Sequence, residues 1–258
     1  MLQEERILRI RSLLAKFKRL TIERIAQDMD VSRETARRDV LQLEAQGELR
    51  RVHGGVVQKG PEPEPPASER ARVNQTEKRA IAKAAIRLLQ PGQTVFLDAG
   101  STTTVLAEEL ASLSGLTVIT NGLAAALKLG AADDARAPRN TILLLGGRID
   151  ANVQATYGDD TVGEIHRHQA DIALLSPVGI SRQHGATSFE HHEAAVARAM
   201  AQQARRVIIL ADYSKIGHSS RVSYVKTTDI DTIVTDARAR ALPGFSALQR
   251  AGARLVVA

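Results

Sequence analysis

Residues 98–104, "DAGSTTT", set a carboxylate, a glycine and four hydroxyls in seven consecutive positions. That order suits anion binding. Gly100 lets a backbone approach a ligand closely. Ser101, Thr102, Thr103 and Thr104 add hydroxyls and the free amides of a helix start. Similar groups follow other apolar runs: Thr120-Asn121 before Gly122, Gly146-Gly147 before Arg148, and Asp212 with Ser214 and Lys215 behind it. Lys215 supplies a point charge for a phosphate, and Asp98 or Asp212 accepts hydroxyls. Asp98, Glu193 and Lys215 are also the acid–base candidates if the chain is an enzyme. Glu193 also suits a ligand contact or, more simply, a charge at a helix start.

A second cluster is "RETARRD", Arg33 to Asp39, with three arginines in seven residues. Arginine's planar fork pairs with guanine or clamps a phosphate. Arg50 and Arg51 follow at the start of a short strand-like run. The histidine pairs His166/His168 and His191/His192 invite a metal reading. His-x-His, however, splits across a helix, and there is no Glu-x-x-His context. They read as surface or helix-end residues, and no metal or cofactor is expected.

These groups need elements to position them. Seven apolar runs, at 94–100, 116–122, 141–147, 171–179, 206–212, 231–236 and 254–258, alternate with helical stretches such as "TTVLAEELAS" and "HEAAVARAMAQQA". Runs this apolar suit strands covered on both faces, which predicts a doubly wound, mostly parallel sheet. In such sheets ligands sit beyond the carboxyl ends of the strands, where the candidate groups concentrate.

Toward the N-terminus the period changes to that of helices. Ile7, Ile10, Leu13 and Leu14 share one face. Thr21 caps a second helix carrying Ile22, Ile25, Ala26 and Met29. A third helix starts at Ser32, turns Ala36, Val40 and Leu43 inward and stops at Gly47. "ELRRVHGGVVQ" then reads as a hairpin about Gly54-Gly55. The order predicts a winged helix-turn-helix, with Arg33, Glu34, Arg37 and Arg38 largely on the outer face of its third helix.

Four of the eight prolines lie in "GPEPEPPAS", residues 60–68, a semi-rigid segment poor at packing. The expected division is 1–57 for the small domain, 58–74 for the linker and 75–258 for the large domain. The net charge of +6 is uneven: residues 1–60 hold 13 Lys+Arg against 9 Asp+Glu. Basic excess at the front suggests a polyanionic partner there. The chain has no cysteine, which excludes disulfides and thiolate metal sites. Its N-terminus carries charges among its apolar residues, unlike a signal peptide. No run approaches the roughly 20 apolar residues of a membrane span, so a cytoplasmic protein is expected.

Residues 31–57, "VSRETARRDVLQLEAQGELRRVHGGVV", resemble the signature of the DeoR family of bacterial repressors. Ser32, Thr35, Arg37, Arg38, Asp39, Leu43, Gly47, His53, Gly54 and Gly55 match in place. Ala36 stands where the family usually has isoleucine. "DAGSTTT", "VITNGLAAA", "LLGGRI" and "ADYSKIG" resemble the family's effector domain, which is similar in fold to ribose-5-phosphate isomerase and glucosamine-6-phosphate deaminase. "LLSPVGI" departs from the usual glycine-containing pattern there. The resemblance implies a regulator, most simply a repressor of a sugar or polyol catabolic operon. It implies operator DNA as partner, a phosphorylated sugar or polyol as effector, and a homodimer or homotetramer. The DNA-facing set is then Thr21, Ser32, Arg33, Thr35, Arg37, Arg38, Arg50, Arg51 and His53. The alternative is a sugar-phosphate isomerase or deaminase carrying a DNA-binding module, although an isomerase needs no such module.

Overall fold

Ile7, Ile10 and Leu14 repeat at helical spacing, and helix α1 (Gln3–Phe17) buries all three. In the computed structural model, residues 3–17, 19–45, 48–52, 55–58, 65, 67–131 and 140–258 are described. The chain divides into two units, Met1–Glu62 and Pro63–Ala258.

In the first unit, α1 leads to a two-residue strand, β1 (Arg19–Leu20), and then to α2 (Ile22–Met29) and α3 (Arg33–Ala45). The Thr21 hydroxyl caps α2 by accepting the Arg24 N–H at 3.1 Å. Asp30 ends that helix in the left-handed region at φ 51°. The Ser32 hydroxyl caps α3 by accepting the Thr35 N–H at 3.1 Å. Helix α3 buries Ala36, Val40 and Leu43 against Ile10, Ile25 and Met29. Strands β2 (Leu49–Val52) and β3 (Gly55–Gln58) pair antiparallel, and β1 adds on the far side in the order β1-β3-β2. Gly55 is required there: at φ +155° a Cβ would stand 2.2 Å from the Leu20 carbonyl oxygen. The hairpin turn at His53-Gly54, the helix stop at Gly47 and most of the proline-rich segment lie outside the described residues.

The second unit opens with α4 (Ala67–Arg70) and α5 (Gln75–Ile86). It continues through β4 (Thr94–Leu97), α6 (Ser101–Leu110), β5 (Thr117–Thr120), α7 (Leu123–Ala131), β6 (Thr141–Leu144), β7 (Arg148–Asp150), β8 (Ala155–Tyr157) and α8 (Asp159–Ile165). Then come β9 (Ala170–Leu175), β10 (Gly179–Ser181), β11 (Gly185–Ser188), α9 (His191–Gln202), β12 (Ala204–Leu210), β13 (Val222–Val225), β14 (Thr232–Thr235), α10 (Pro243–Arg250) and β15 (Leu255–Val257). The seven apolar runs all become strands of one seven-stranded sheet, ordered β15-β14-β12-β9-β4-β5-β6 and parallel at every pairing. Alternate residues feed opposite cores. Phe96, Ala173 and Ile209 pack on one face with α9, while Val95, Leu97, Ile172 and Ile208 pack on the other with α5 and α6.

One run divides. "DIALLSPVG" is a sheet strand only as far as Leu175, and Gly179 opens β10 in a separate antiparallel sheet, β10-β11-β13. Strand β11 comes so close to β13 that a Cβ on Gly185, at φ +64°, would stand 2.0 Å from the Val225 carbonyl oxygen. No described helix is long and apolar enough to cross a membrane.

Candidate functional site

The exposed face of α3 carries Arg33, Arg37 and Arg38. Arg33 lies 3.8 Å from Glu23 and Arg37 3.9 Å from Glu34, separations that leave both guanidinium groups largely solvated. Ser32 and Thr35 join through their hydroxyls at 2.9 Å at the N-terminal end of this face. Thr21 is exposed at the start of α2. Both hairpin arginines are exposed, and Arg51 joins α3, its Nε donating to Glu44 Oε2 at 2.7 Å and its N–H to Glu44 Oε1 at 3.2 Å. These bonds hold the Glu44 carboxyl below the usual range. His53 lies outside the described residues. Asp39, the acid of "RETARRD", turns inward and is 1% exposed. Its place three residues after Ala36 and four before Leu43 is the signal for that.

In the second unit the strand order reverses between β4 and β9, so the connections from these neighbours leave in opposite directions and open a crevice at their carboxyl ends. Asp98 follows β4 and Ser176 follows β9. The Asp98 carboxylate accepts the Ala99 N–H at 2.8 Å and also the Ser176 N–H. Lys215 Nζ donates to Ser176 Oγ at 3.0 Å. Burial pushes the Asp98 carboxyl up to about 7. The charge of Glu193 pushes the same way, and the two backbone N–H groups and Lys215 oppose it. A cavity here is walled by Asp98, Asn121, Asp150, Ser176 and Glu193, with Arg70 from α4 beside them. Glu193 Oε2 accepts the Ser188 hydroxyl at 2.7 Å. A second crevice adjoins it across Ala99 and Val153, over the start of α6, and is lined by Gly100, Ser101, Thr104, Gln75, Arg79 and Lys128.

The structure gathers only some of the candidate groups in these two spaces. Asp98, Gly100, Ser101, Thr104 and Asn121 line them, and Lys215 reaches Ser176 on the wall. The Thr103 and Thr104 hydroxyls donate back to the Gly100 carbonyl at 3.0 and 2.7 Å, as helical threonines commonly do. Thr102 is fully buried. Thr120 is spent on the fold: its hydroxyl donates to Leu97 O and accepts the Gly122 N–H. Gly146 and Gly147 turn toward α8, where Gly146 binds Glu164 and Thr161. A Cβ on Gly147 would stand 2.1 Å from the Thr161 hydroxyl. Asp212 caps the turn after β12, accepting from the Ser214 N–H and hydroxyl and from Asn74 Nδ2. Asp150, Ser176 and Arg70 at the first space, and Gln75, Arg79 and Lys128 at the second, are site residues that sequence reasoning missed. Ser176 was within reach of the same strand-end rule that selected Asp98.

Among the histidines, His166 and His191 are exposed, and His192 turns inward to stack on Tyr157 with ring centres 4.4 Å apart. Among the described residues no group of three or more His, Asp or Glu is placed to hold a metal ion.

Residues 6–60 match the DeoR-like helix-turn-helix domain, and residues 73–237 match the DeoR C terminal sensor domain. The chain is 35% identical to the HTH-type transcriptional repressor GlcR of Bacillus subtilis, covering 92% of this chain and 89% of that one. It is 35% identical to the HTH-type transcriptional regulator GolR of Listeria innocua, over 90% of each. It is 29% identical to the glycerol-3-phosphate regulon repressor of Escherichia coli, over 84% of each. Among solved structures, ribose 5-phosphate isomerase A of Methanocaldococcus jannaschii is similar over 55% of this chain and 54% of its own, with TM-score 0.40 and 16% identity. Both domain matches and the near full-length relatives favour the regulator over the isomerase, and the chain belongs to the DeoR family of transcriptional regulators.

Proposed function

We propose that the protein represses a sugar or polyol catabolic operon and is released from, or repositioned on, its operator by a phosphorylated sugar or polyol. Helix α3 enters the major groove, with Arg33, Arg37 and Arg38 against bases and phosphates and the Ser32–Thr35 pair at its leading end. Arg50 and the hairpin contact the backbone beside it. The effector's phosphate lies over the start of α6, at Gly100 and Ser101, and the rest of the ligand extends past Ala99 toward Asp98, Asn121 and Glu193. Lys215 adds charge at the junction. The molecule acts as a homodimer or homotetramer in the cytoplasm, presenting paired recognition helices to repeated half-sites.

The observation that carries this reading is the crevice at the β4/β9 reversal, combined in one chain with an arginine-faced helix in a winged unit. Effector binding shifts the population away from the DNA-competent arrangement only by as much as it prefers the other one. The test is binding of purified protein to the promoter region upstream of its own gene, followed by fluorescence anisotropy with and without a panel of phosphorylated sugars and polyols. One panel member is expected to weaken operator binding at least tenfold. Operator binding that no panel member alters would remove the sensing half of the reading.

A further inference from the structure

Four side chains that carry acceptor oxygens line the cavity at the β4/β9 reversal: Asp98, Asp150, Glu193 and Asn121. Asn121 is only 4% exposed. Its Nδ2 donates to the Thr156 carbonyl at 3.0 Å, which fixes which way the amide points. Its Oδ1 is thereby left without a hydrogen-bond partner among the described residues, although it is buried. A buried acceptor with no donor is costly, and a ligand donor that reached it through the cavity would relieve that cost.

The cations around the cavity already have partners, two of them on its own wall. Arg70 Nε donates to the Pro65 carbonyl at 2.9 Å, Lys215 Nζ to Ser176 Oγ, and His192 Nε2 stands 3.6 Å from Asp150. Asp98 and Glu193 already oppose each other electrostatically, since the charge of Glu193 helps to hold a proton on Asp98. A ligand carboxylate entering here would bring a further negative charge into a desolvated space with acceptors already in excess. Hydroxyl and amino groups, by contrast, supply donors to Asn121 Oδ1, Glu193 and Asp98.

We propose that this cavity reads the non-phosphate end of the effector for hydrogen-bond donors, accepting hydroxyl- or amino-bearing sugar and polyol phosphates and rejecting phosphorylated sugar acids. The proposal rests on the phosphorylated-sugar reading above and adds a rule for selection among such ligands.

Calorimetry on the full chain tests it with glucose 6-phosphate, fructose 6-phosphate, sorbitol 6-phosphate, glucosamine 6-phosphate, 6-phosphogluconate and inorganic phosphate. At least one hydroxyl- or amino-bearing probe is expected to bind at least tenfold more tightly than 6-phosphogluconate. In Glu193→Gln the ratio should fall at least threefold, with the sugar acid gaining affinity. Asp98→Asn provides a second, nearly isosteric variant if the first fails to fold. Equal or tighter binding of 6-phosphogluconate by the native chain overturns the proposal, as does a ratio unchanged in the folded variant. Binding of inorganic phosphate alone would leave the phosphate reading standing and remove the selection rule. Binding of no probe would remove both.

Discussion

Arg6 on α1 clasps Asp39 on α3 through two bonds, Nε to Oδ2 at 2.6 Å and Nη2 to Oδ1 at 3.0 Å. The carboxylate is buried, and Gln3 Nε2 adds a third bond at 3.3 Å. The acid in the middle of the basic stretch is therefore a joint between helices, and it sets the rotation of α3 that leaves Arg33, Arg37 and Arg38 outside. Removing one partner of a buried pair strands the other without compensation. Asp39→Ala is expected to lower the melting temperature of the N-terminal unit by roughly 5 °C or more. Arg6→Ala should act in the same direction, and the double variant should lose less than the two single losses added together. Thermal denaturation followed by circular dichroism measures all three, and strict additivity would show that the two side chains act independently.

The outward arginines should behave oppositely. Arg37 makes only a 3.9 Å contact with Glu34, and Arg38 is exposed. Substitution of either by alanine should shift the melting temperature by less than about 3 °C. Operator affinity should fall by roughly 5- to 100-fold if the lost contact is to a base edge. If it is to a phosphate, the slope of log K against log salt should fall by about 1. A large stability loss with operator affinity intact would show that these arginines serve the fold.

Much of this organisation is legible in the sequence because burial leaves a period. Strands covered on both faces must be apolar throughout, which explains the central runs of the parallel sheet, whereas the edge strand β6 is as apolar but leaves Leu143 and Leu144 exposed. Ala36, Val40 and Leu43 mark the inner face of α3 for the same reason. Strands β10 and β11 left no such trace. "GIS" and "GATS" are short runs of mostly small residues, and they are strands because β13 and each other complete their hydrogen bonds. Side-chain direction was equally hidden. Sequence places Thr103, Thr104, Thr120 and Asp212 beside strand ends, but the nearest backbone partner decides where each polar group points. In all four that partner belongs to the fold. Asn121 is the converse: its neighbours satisfy only half of its amide.

Lys215 separates sensing from DNA binding. Its ammonium reaches Ser176 Oγ and its charge acts on Asp98, so it serves the crevice. Lys215→Ala is expected to abolish the thermal stabilisation given by the active panel member, which at a hundredfold excess over Kd amounts to about 2.7 kcal/mol in the native chain. Operator affinity of the ligand-free variant should stay within about twofold of native. An undiminished thermal response would place the phosphate away from Lys215.

Asp98 makes stability depend on pH in an unusual direction. Burial holds its carboxyl near 7 in the folded chain, against an ordinary value of 3.8. Between those two values the folded chain keeps a proton that the unfolded chain releases. The stability this contributes is complete below about pH 4 and is lost as pH rises through about 7. Asp98→Asn removes the titration at nearly constant shape. The melting temperature of the variant relative to native should therefore climb between pH 5 and pH 8.5, with the variant the more stable at the alkaline end. Parallel profiles over that range would mean that Asp98 is solvated and ionised throughout. Effector binding gives a second readout, because hydroxyl or ammonium donors favour the carboxylate over the acid. Binding near pH 7 should then release protons, seen as a dependence of the calorimetric enthalpy on the ionisation heat of the buffer. That dependence should shrink in Asp98→Asn to the part contributed by the effector's own phosphate, whose second ionisation lies at about pH 6.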